Sequence, residues 1–223
     1  MSSIASKIET LVAADDLPQR IELALRGGHR GARRQKQMSP ELSYGRHAGP
    51  APHTARHAAV MLLLFRRRGR WHLPLTERPA TLSRHAGQIS LPGGSIEIGE
   101  SSLDAARREV NEELGFDAPS SALGRLADCY VFASDFLVTP WVVASSEADI
   151  IWRPHDREVQ DVVELPLATL LDDDSISRLT IQRGPLVFHA PCIAVGSARI
   201  WGATCTILSE LAGVLRYLLE TSL

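Results

Sequence analysis

The feature that most constrains the fold is an uninterrupted apolar run, AAVMLLLF, at residues 58–65. Eight apolar residues are far too few to cross a bilayer, which takes about 20. A short run of this kind is typical of a buried strand. The turn RRRGR and then WHLPLTER follow directly, so the two apolar segments predict a β-hairpin.

The rest of the chain alternates between strands and two main helices. One helix begins at Ser101, and the other closes the chain from Ala203 onward. Further strands are predicted in the segments ALGRLADCYVF, FLVTPWVVAS and LTIQRGPLVFHAPCIAVGSARIWG. Strands joined to helices by short turns predict an α+β arrangement or an α/β/α sandwich with a mixed sheet, over residues 58–223.

Residues 1–57 are predicted to form an extension to this domain. Residues 4–12 and 17–25 have the spacing of short amphipathic helices. The basic stretch that follows, at residues 26–37, has the composition of a solvated linker. Because no aromatic residue lies among its charges, the stretch does not favour binding to single-stranded nucleic acid.

Overall charge narrows the class of partner. The formal net charge is only -2 at pH 7, so any function that depends on charge must come from a local cluster. We therefore expect neither a nucleic acid nor a membrane as partner, and either a monomer or a homodimer. The N-terminus lacks the apolar core of a signal peptide, and three scattered cysteines indicate reduced thiols. Both features favour a cytoplasmic location.

The helix that begins at Ser101 carries clear boundary signals. Asp104 lies three residues after Ser101, which is the spacing of a capping box, and Gly115 is placed to end the helix. At 100° per residue, one narrow apolar stripe is predicted to face the core. This stripe consists of Leu103, Ala106, Val110 and Leu114.

Three glutamates, Glu109, Glu112 and Glu113, occupy the neighbouring stripe of the same helix. Their spacing directs all three carboxylates into one small volume. Like charges at this spacing repel by about 0.2–0.5 kcal/mol per pair on an open helix. No lysine or arginine lies within the stripe to neutralise them. A cluster of hard oxygen ligands without a countercharge predicts a site for Mg²⁺ or Mn²⁺.

The residues before the helix decide between a metal site and a merely solvated acidic face, which is the commoner origin of a glutamate pair. Gly93 and Gly94 allow the backbone to approach a ligand closely. Arg108 is placed to pair with Glu100 and so to tie the loop to the helix. Together these residues favour the metal site.

The segment from Gly94 to Phe116 resembles the Nudix box at every specified position. Gly94 is followed by five residues, Glu100, seven residues and then REVNEELGF. This resemblance implies the Nudix fold, an α/β/α sandwich in which the box forms a loop–helix–loop metal site. It also implies a pyrophosphohydrolase that cleaves a nucleoside diphosphate linked to another moiety.

The resemblance also implies a role for each residue of the box. Glu112 and Glu113 correspond to the principal ligands of Mg²⁺ or Mn²⁺. Glu109 corresponds to a further ligand, or to the group that orients or deprotonates the attacking water. Gly94 corresponds to a residue that offers its carbonyl oxygen to the metal.

Two other residues of the box, Glu100 and Arg108, correspond to mainly structural positions. Nudix proteins often take a general base from outside the box. Glu158, in the segment RPHDREVQD, is the candidate for that role in this chain.

The segments around the box resemble those of coenzyme A pyrophosphatases: LTERPATLSRHAGQISLPGG before it, PHDREVQDVVELPLATLL and IWGATCTILSELA after it. This resemblance implies hydrolysis of coenzyme A or its thioesters to 3′,5′-ADP and 4′-phosphopantetheine or its acyl derivative. Because coenzyme A carries a 3′-phosphate as well as a pyrophosphate, its site needs fixed positive charge, which Arg78, Arg84 and His85 are placed to supply. The family pattern has an arginine where this chain has Ser83.

Three other functions remain open at the level of sequence. An ADP-ribose or NADH pyrophosphatase would use the same box without a clamp for the 3′-phosphate. A non-catalytic Nudix domain that senses a nucleotide tends to lose box glutamates, whereas this chain keeps them all. Processing of RNA 5′ ends would need a broad basic surface, which the near-neutral net charge does not favour.

Overall fold

A computed structural model describes residues 3–29, 38, 51–79 and 87–221. Two predicted substrate-binding residues, Arg84 and His85, lie outside the described residues, as does most of the basic stretch at 26–37.

Helices and strands follow the order expected from the sequence. The described helices are α1 (Ile4–Ala13), α2 (Leu17–Arg26), α3 (Ser102–Leu114) and α4 (Gly202–Thr221). The strands are β1 (Arg56–Arg67), β2 (Arg70–Glu77), β3 (Ile89–Ser90), β4 (Gly93–Ser95), β5 (Gly124–Arg125), β6 (Cys129–Val131), β7 (Phe136–Ala148), β8 (Asp161–Pro166), β9 (Ile176–Arg183), β10 (Leu186–Val195) and β11 (Ala198–Trp201). Short 3-10 turns lie at Leu167–Leu170 and Asp173–Ser175.

The centre of the molecule is a mixed sheet of eight strands. Its main path has the order β3-β2-β1-β7-β5, while β4 pairs with β1, β6 with β7 and β8 with β2. β1 and β2 form the predicted hairpin. β1 and β7 run parallel, and the other pairs described in this sheet are antiparallel. β9, β10 and β11 form a separate antiparallel sheet.

The apolar run in β1 is buried on both faces of the central sheet. Leu62 and Leu64 enter a core that includes side chains of α1, α2 and α4. Met61, Leu63 and Phe65 enter a second core, against α3. Alternating side chains of one strand therefore fill two layers, which explains why the run has no polar residue. The predicted α/β/α sandwich with a mixed sheet is confirmed.

The two N-terminal helices are confirmed and share the core of the main sheet. Leu17 and Ile21 are fully buried in the same cluster as the side chains of α4. The indole Nε1 of Trp71 on β2 donates a hydrogen bond of 2.8 Å to the carbonyl of Ala14, between the two helices. The division of the chain at residue 57 stays a prediction, but α1 and α2 pack as part of one hydrophobic core.

Cys129, Cys192 and Cys205 are free thiols, and burial makes Cys129 and Cys205 unreactive. Burial raises the pKa of Cys129 to about 11 and that of Cys205 to about 12. Thiols with such pKa values are protonated at neutral pH, so they are poor nucleophiles and poor metal ligands. In the described part of the chain, every helix is too short or too polar to cross a membrane.

Because Ile21 is buried in the shared core, Ile21→Ala is expected to lower the free energy of unfolding of the whole chain by about 2–5 kcal/mol. Leu23→Ala is the matched control, because Leu23 lies on the same helix and is 69% exposed. Its effect should stay within about 0.5 kcal/mol. Urea denaturation followed by circular dichroism measures both values. A main transition that Ile21→Ala leaves unchanged would contradict the shared core.

Candidate active site

The site begins where β4 pairs with β1, at a strand that carries two glycines. Gly94 of β4 is paired with Ala59 of β1. A Cβ atom built on Gly93 would lie 2.3 Å from the carbonyl oxygen of Ala59, and Gly93 has a φ of +153°. Only glycine meets both conditions, so the glycine pair fixes β4 directly against the central strand.

Gly94 lies in close contact with the side chain of Glu109, one of the box glutamates. A Cβ atom built on Gly94 would lie 2.2 Å from Oε1 of Glu109, so the carboxylate occupies the space that a side chain would fill. The side chain of Glu109 is 14% exposed, and desolvation raises its pKa. The contact seen here is with a carboxylate of the chain itself, and the approach of this backbone to a bound ligand stays a prediction.

Helix α3 has the predicted boundaries. Oγ of Ser101 accepts a hydrogen bond from the Asp104 amide at 3.2 Å and donates to Oδ2 of Asp104 at 2.6 Å. Gly115 ends the helix in the left-handed conformation, with φ of 62°. Val110 and Leu114 are fully buried against the sheet. These contacts fix the rotation of the helix, so Glu109 faces β4 and Glu113 faces β2.

Glu113 is the most buried of the three glutamates, with 6% of its surface exposed. Its Oε2 accepts a hydrogen bond of 3.2 Å from the hydroxyl of Thr76 on β2. Desolvation and the charge of Glu109 raise the pKa of Glu113 to about 8. A nearby cation would favour the ionised form of a carboxyl group that is so poorly solvated. Sequence analysis missed Thr76, whose only signal was a hydroxyl next to the apolar segment LPL of β2.

Arg108 ties the loop before the helix to the helix, as predicted. Its Nε and Nη2 donate to Oε1 and Oε2 of Glu100 at 3.0 and 3.2 Å. Nη2 also donates to the carbonyl of Ser95 at 3.0 Å. The guanidinium, helped by the amide of Glu97, lowers the pKa of Glu100.

One sequence inference about the glutamate stripe was wrong. The stripe itself contains no basic residue, yet Nη1 of Arg108 donates to Oε1 of Glu109 at 2.9 Å and to Oε2 of Glu112 at 3.1 Å. The long arginine side chain reaches both carboxylates from the position before Glu109, so the cluster is partly neutralised. A stripe defined by helical angle alone omits this reach.

Two further predicted residues lie within electrostatic reach of the cluster. The charge of Arg78 favours the ionised form of Glu113, against the larger effect of desolvation. Nε of Arg78 is buried and has no hydrogen-bond acceptor among the residues that the structure describes. Glu158 is exposed. Desolvation is the main cause of the raised pKa of Glu109 and Glu113, and the negative charge of Glu158 adds to it.

A backbone contact holds the loop of Glu158 beside the helix. The amide of His155 donates to the carbonyl of Glu113 at 3.2 Å, and the amide of Glu158 donates to the carbonyl of His155 at 2.9 Å. The loop that carries the predicted base is therefore anchored to the helix that carries the predicted metal ligands.

The donor chemistry of the cluster fits a hard divalent cation. Carboxylate oxygens are the ligands that Mg²⁺ and Mn²⁺ prefer, and burial leaves Glu113 short of solvation. The carboxylates do not yet point at one centre: within the described ranges, no three His, Cys, Asp or Glu side chains form a ready cage. Glu109 and Glu112 bind Arg108, while Glu113 binds Thr76.

Comparison with known proteins assigns this site to a family. The sequence model of the NUDIX domain matches residues 55–183, more than half of the chain. The chain belongs to the Nudix family. It is therefore a Nudix hydrolase, an enzyme that cleaves pyrophosphate bonds, and such hydrolases generally use divalent metal ions.

A sequence relative supports this family, and two solved structures share a weaker likeness. The chain is 33% identical over 158 residues to a protein named "Uncharacterized Nudix hydrolase NudL" from Salmonella newport (strain SL254), which covers 70% of this chain and 81% of the relative. A MutT/nudix family protein from Enterococcus faecalis has a TM-score of 0.48 at 14% identity, covering 79% of this chain and 67% of that one. The MutT protein from Methanosarcina mazei Go1 has a TM-score of 0.42 at 21% identity, covering 54% and 84%.

The raised pKa of Glu113 predicts how the stability of the Nudix hydrolase without metal depends on pH. The folded chain keeps this proton up to about pH 8, whereas a carboxyl of ordinary pKa, 4.5, has lost it. The free energy of unfolding should therefore fall as the pH rises from about 5 to about 8, by about 1.4 kcal/mol per unit of pKa difference. Chemical denaturation in EDTA at several pH values measures this fall.

Glu113→Gln should flatten the fall, because an amide cannot ionise. Glu112→Gln is the matched control on the same helix, since the side chain of Glu112 is 50% exposed, and it should keep the fall. Mg²⁺ should stabilise the wild-type chain more at pH 8 than at pH 6, because protons compete with the ion for the carboxylate. Parallel curves for the wild type and Glu113→Gln would contradict the prediction.

Proposed function

We propose that this Nudix hydrolase cleaves the pyrophosphate bond of coenzyme A or its thioesters, giving 3′,5′-ADP and 4′-phosphopantetheine or its acyl derivative. The observation that carries the proposal is the position of Arg78. Its positive charge lies within electrostatic reach of Glu113, and its Nε is buried without an acceptor among the described residues. A partly exposed guanidinium that lies beside a carboxylate cluster, and whose buried Nε has no described acceptor, is suited to bind a phosphate group of the substrate.

The resemblance around the box supports this substrate. Arg78 belongs to the LTER segment, which is similar to the segment that precedes the box in coenzyme A pyrophosphatases. Arg84 and His85 follow in the same segment, outside the described residues. We assign to all three the binding of the pyrophosphate and the 3′-phosphate. The natural partner is accordingly a small nucleotide, and the reduced thiols support a cytoplasmic location.

The metal ligands in this proposal are the carboxylates of Glu109, Glu112 and Glu113 and the carbonyl of Gly94. These groups would hold Mg²⁺ or Mn²⁺, which would supply positive charge against the pyrophosphate and make the attacking water easier to deprotonate. The residues of the chain position these ligands. Thr76 orients Glu113 through its hydroxyl, and Gly94 lets the carboxylate of Glu109 lie against β4.

Glu158 is the proposed general base. Its carboxylate lies within electrostatic reach of Glu109 and Glu113, and its loop is hydrogen-bonded to the carbonyl of Glu113. An exposed carboxylate can accept the proton of the attacking water and pass it to solvent. Glu109 is the alternative base, because it is also a carboxylate at the cluster.

A mass-resolved turnover assay tests the substrate. It offers coenzyme A, dephospho-coenzyme A, ADP-ribose and NADH side by side with Mg²⁺ or Mn²⁺. We expect 3′,5′-ADP from coenzyme A, slower turnover of dephospho-coenzyme A, and a loss of about a hundredfold or more in Glu112→Gln. Faster turnover of ADP-ribose or NADH would overturn the substrate and the role of Arg78. A chain that binds nucleotide but cleaves none of the four would favour the sensing domain.

The role of Glu158 predicts a change in the pH profile of kcat. Glu158→Gln should lower kcat by about 10²–10⁴-fold, with little change in KM, and should remove the acidic limb that the base causes. Asp156→Asn is the matched control, because Asp156 lies two residues earlier in the same exposed loop. An acidic limb that survives in Glu158→Gln but is lost in Glu109→Gln would move the base to Glu109.

A further inference from the structure

Arg108 divides its donors between two sets of partners. Nε and Nη2 hold Glu100 and the carbonyl of Ser95. The contacts with Glu109 and Glu112, in contrast, both come from Nη1. One face of the guanidinium therefore anchors the loop, while one nitrogen neutralises two proposed metal ligands.

Nη1 binds one oxygen of each of two carboxylates that we propose as metal ligands. A carboxylate oxygen that accepts a hydrogen bond from a cation at 2.9 or 3.1 Å cannot point its lone pairs freely at a second cation. The guanidinium also places a full positive charge beside the site of the ion. Arg108 and a divalent cation therefore compete for Glu109 and Glu112.

We propose that Arg108 is a positioning residue that binds Glu109 and Glu112 in the metal-free chain and gives up both carboxylates when a metal ion binds them. Its Nη1 holds the two carboxylates together against their mutual repulsion and releases them when an ion binds. The guanidinium stays in place during the exchange, because Nε and Nη2 keep Glu100 and Ser95. This inference rests on the metal ligands proposed above.

The release also has a cost for metal affinity. Every ion that binds must break the contacts of Nη1, so Arg108 weakens the affinity for the ion while it stabilises the chain without the ion. A purely structural arginine would do the opposite, because its loss would loosen the loop of Gly94 and so weaken metal binding. The sign of the change in affinity therefore separates the two roles.

The test measures Mn²⁺ affinity by the EPR signal of free Mn²⁺, together with the melting temperature in EDTA. In Arg108→Gln we expect the Kd for Mn²⁺ to fall by roughly two- to fivefold, the range of one partly exposed ion pair. The melting temperature in EDTA should fall at the same time. Turnover is not part of the readout, so the result does not depend on the substrate.

Two further variants separate contact from charge. Arg107→Gln removes the same charge one residue earlier, where the side chain contacts Asp104, Asp117 and the carbonyl of Ala118. It should leave the Kd for Mn²⁺ within about twofold, since its charge is screened. Arg108→Lys keeps the charge but lacks the planar fork that reaches all these acceptors at once. Its Kd should also fall, and this variant serves if Arg108→Gln does not fold.

The outcomes are distinguishable. Tighter Mn²⁺ binding in both Arg108 variants, with Arg107→Gln unchanged, supports the exchange. Weaker binding in Arg108→Lys overturns it in favour of a structural arginine. An equal gain in Arg107→Gln and Arg108→Gln, with Arg108→Lys unchanged, overturns it in favour of a charge effect through space. A wild-type chain that binds no Mn²⁺ contradicts the proposed metal ligands themselves.

Discussion

The close approach of helix α3 to the glycine strand β4 is the constraint on which the rest of the site depends. With no side chain on Gly94, the carboxylate of Glu109 lies directly against the backbone of β4. The apolar stripe of α3 fixes the rotation of the helix, and Gly93 fixes the strand against β1. A side chain at Gly93 would push β4 away from β1, and one at Gly94 would displace Glu109. Either change would separate the glutamates from Thr76 on β2 and from Arg78, which directly follows β2.

Glu100 and Glu113 lie in one short segment but have pKa values shifted in opposite directions, because their surroundings differ. Glu100 has a lowered pKa, since a bidentate arginine favours its charge. Glu113 has a raised pKa, since burial outweighs its hydrogen bond from Thr76. The same loop and helix therefore carry one carboxylate whose charge the protein satisfies and another that burial leaves poorly solvated. One type of side chain can thus serve structure at Glu100 and, in our proposal, metal binding at Glu113.

Local sequence patterns predicted most of the fold and part of the site. The boundaries of α3 followed from Ser101 and Gly115, and the buried strand followed from its apolar run, because caps and burial are local properties. The contact between Thr76 and Glu113 joins residues 37 positions apart, which no local pattern encodes. The reach of Arg108 to Glu109 and Glu112 was also missed, because helical angles describe where side chains start and omit how far a long one extends.

The segment that the family model recognises is smaller than the hydrophobic core, because α1, α2 and α4 also contribute to that core. The NUDIX match spans residues 55–183, yet the core on one face of the central sheet is completed by Ile21 from before this range and by Leu208 and Leu211 from after it. Residues 55–183 alone would expose that face to water. The outer helices touch none of the box glutamates among the described contacts, so they support the site only through the core that they share with the sheet.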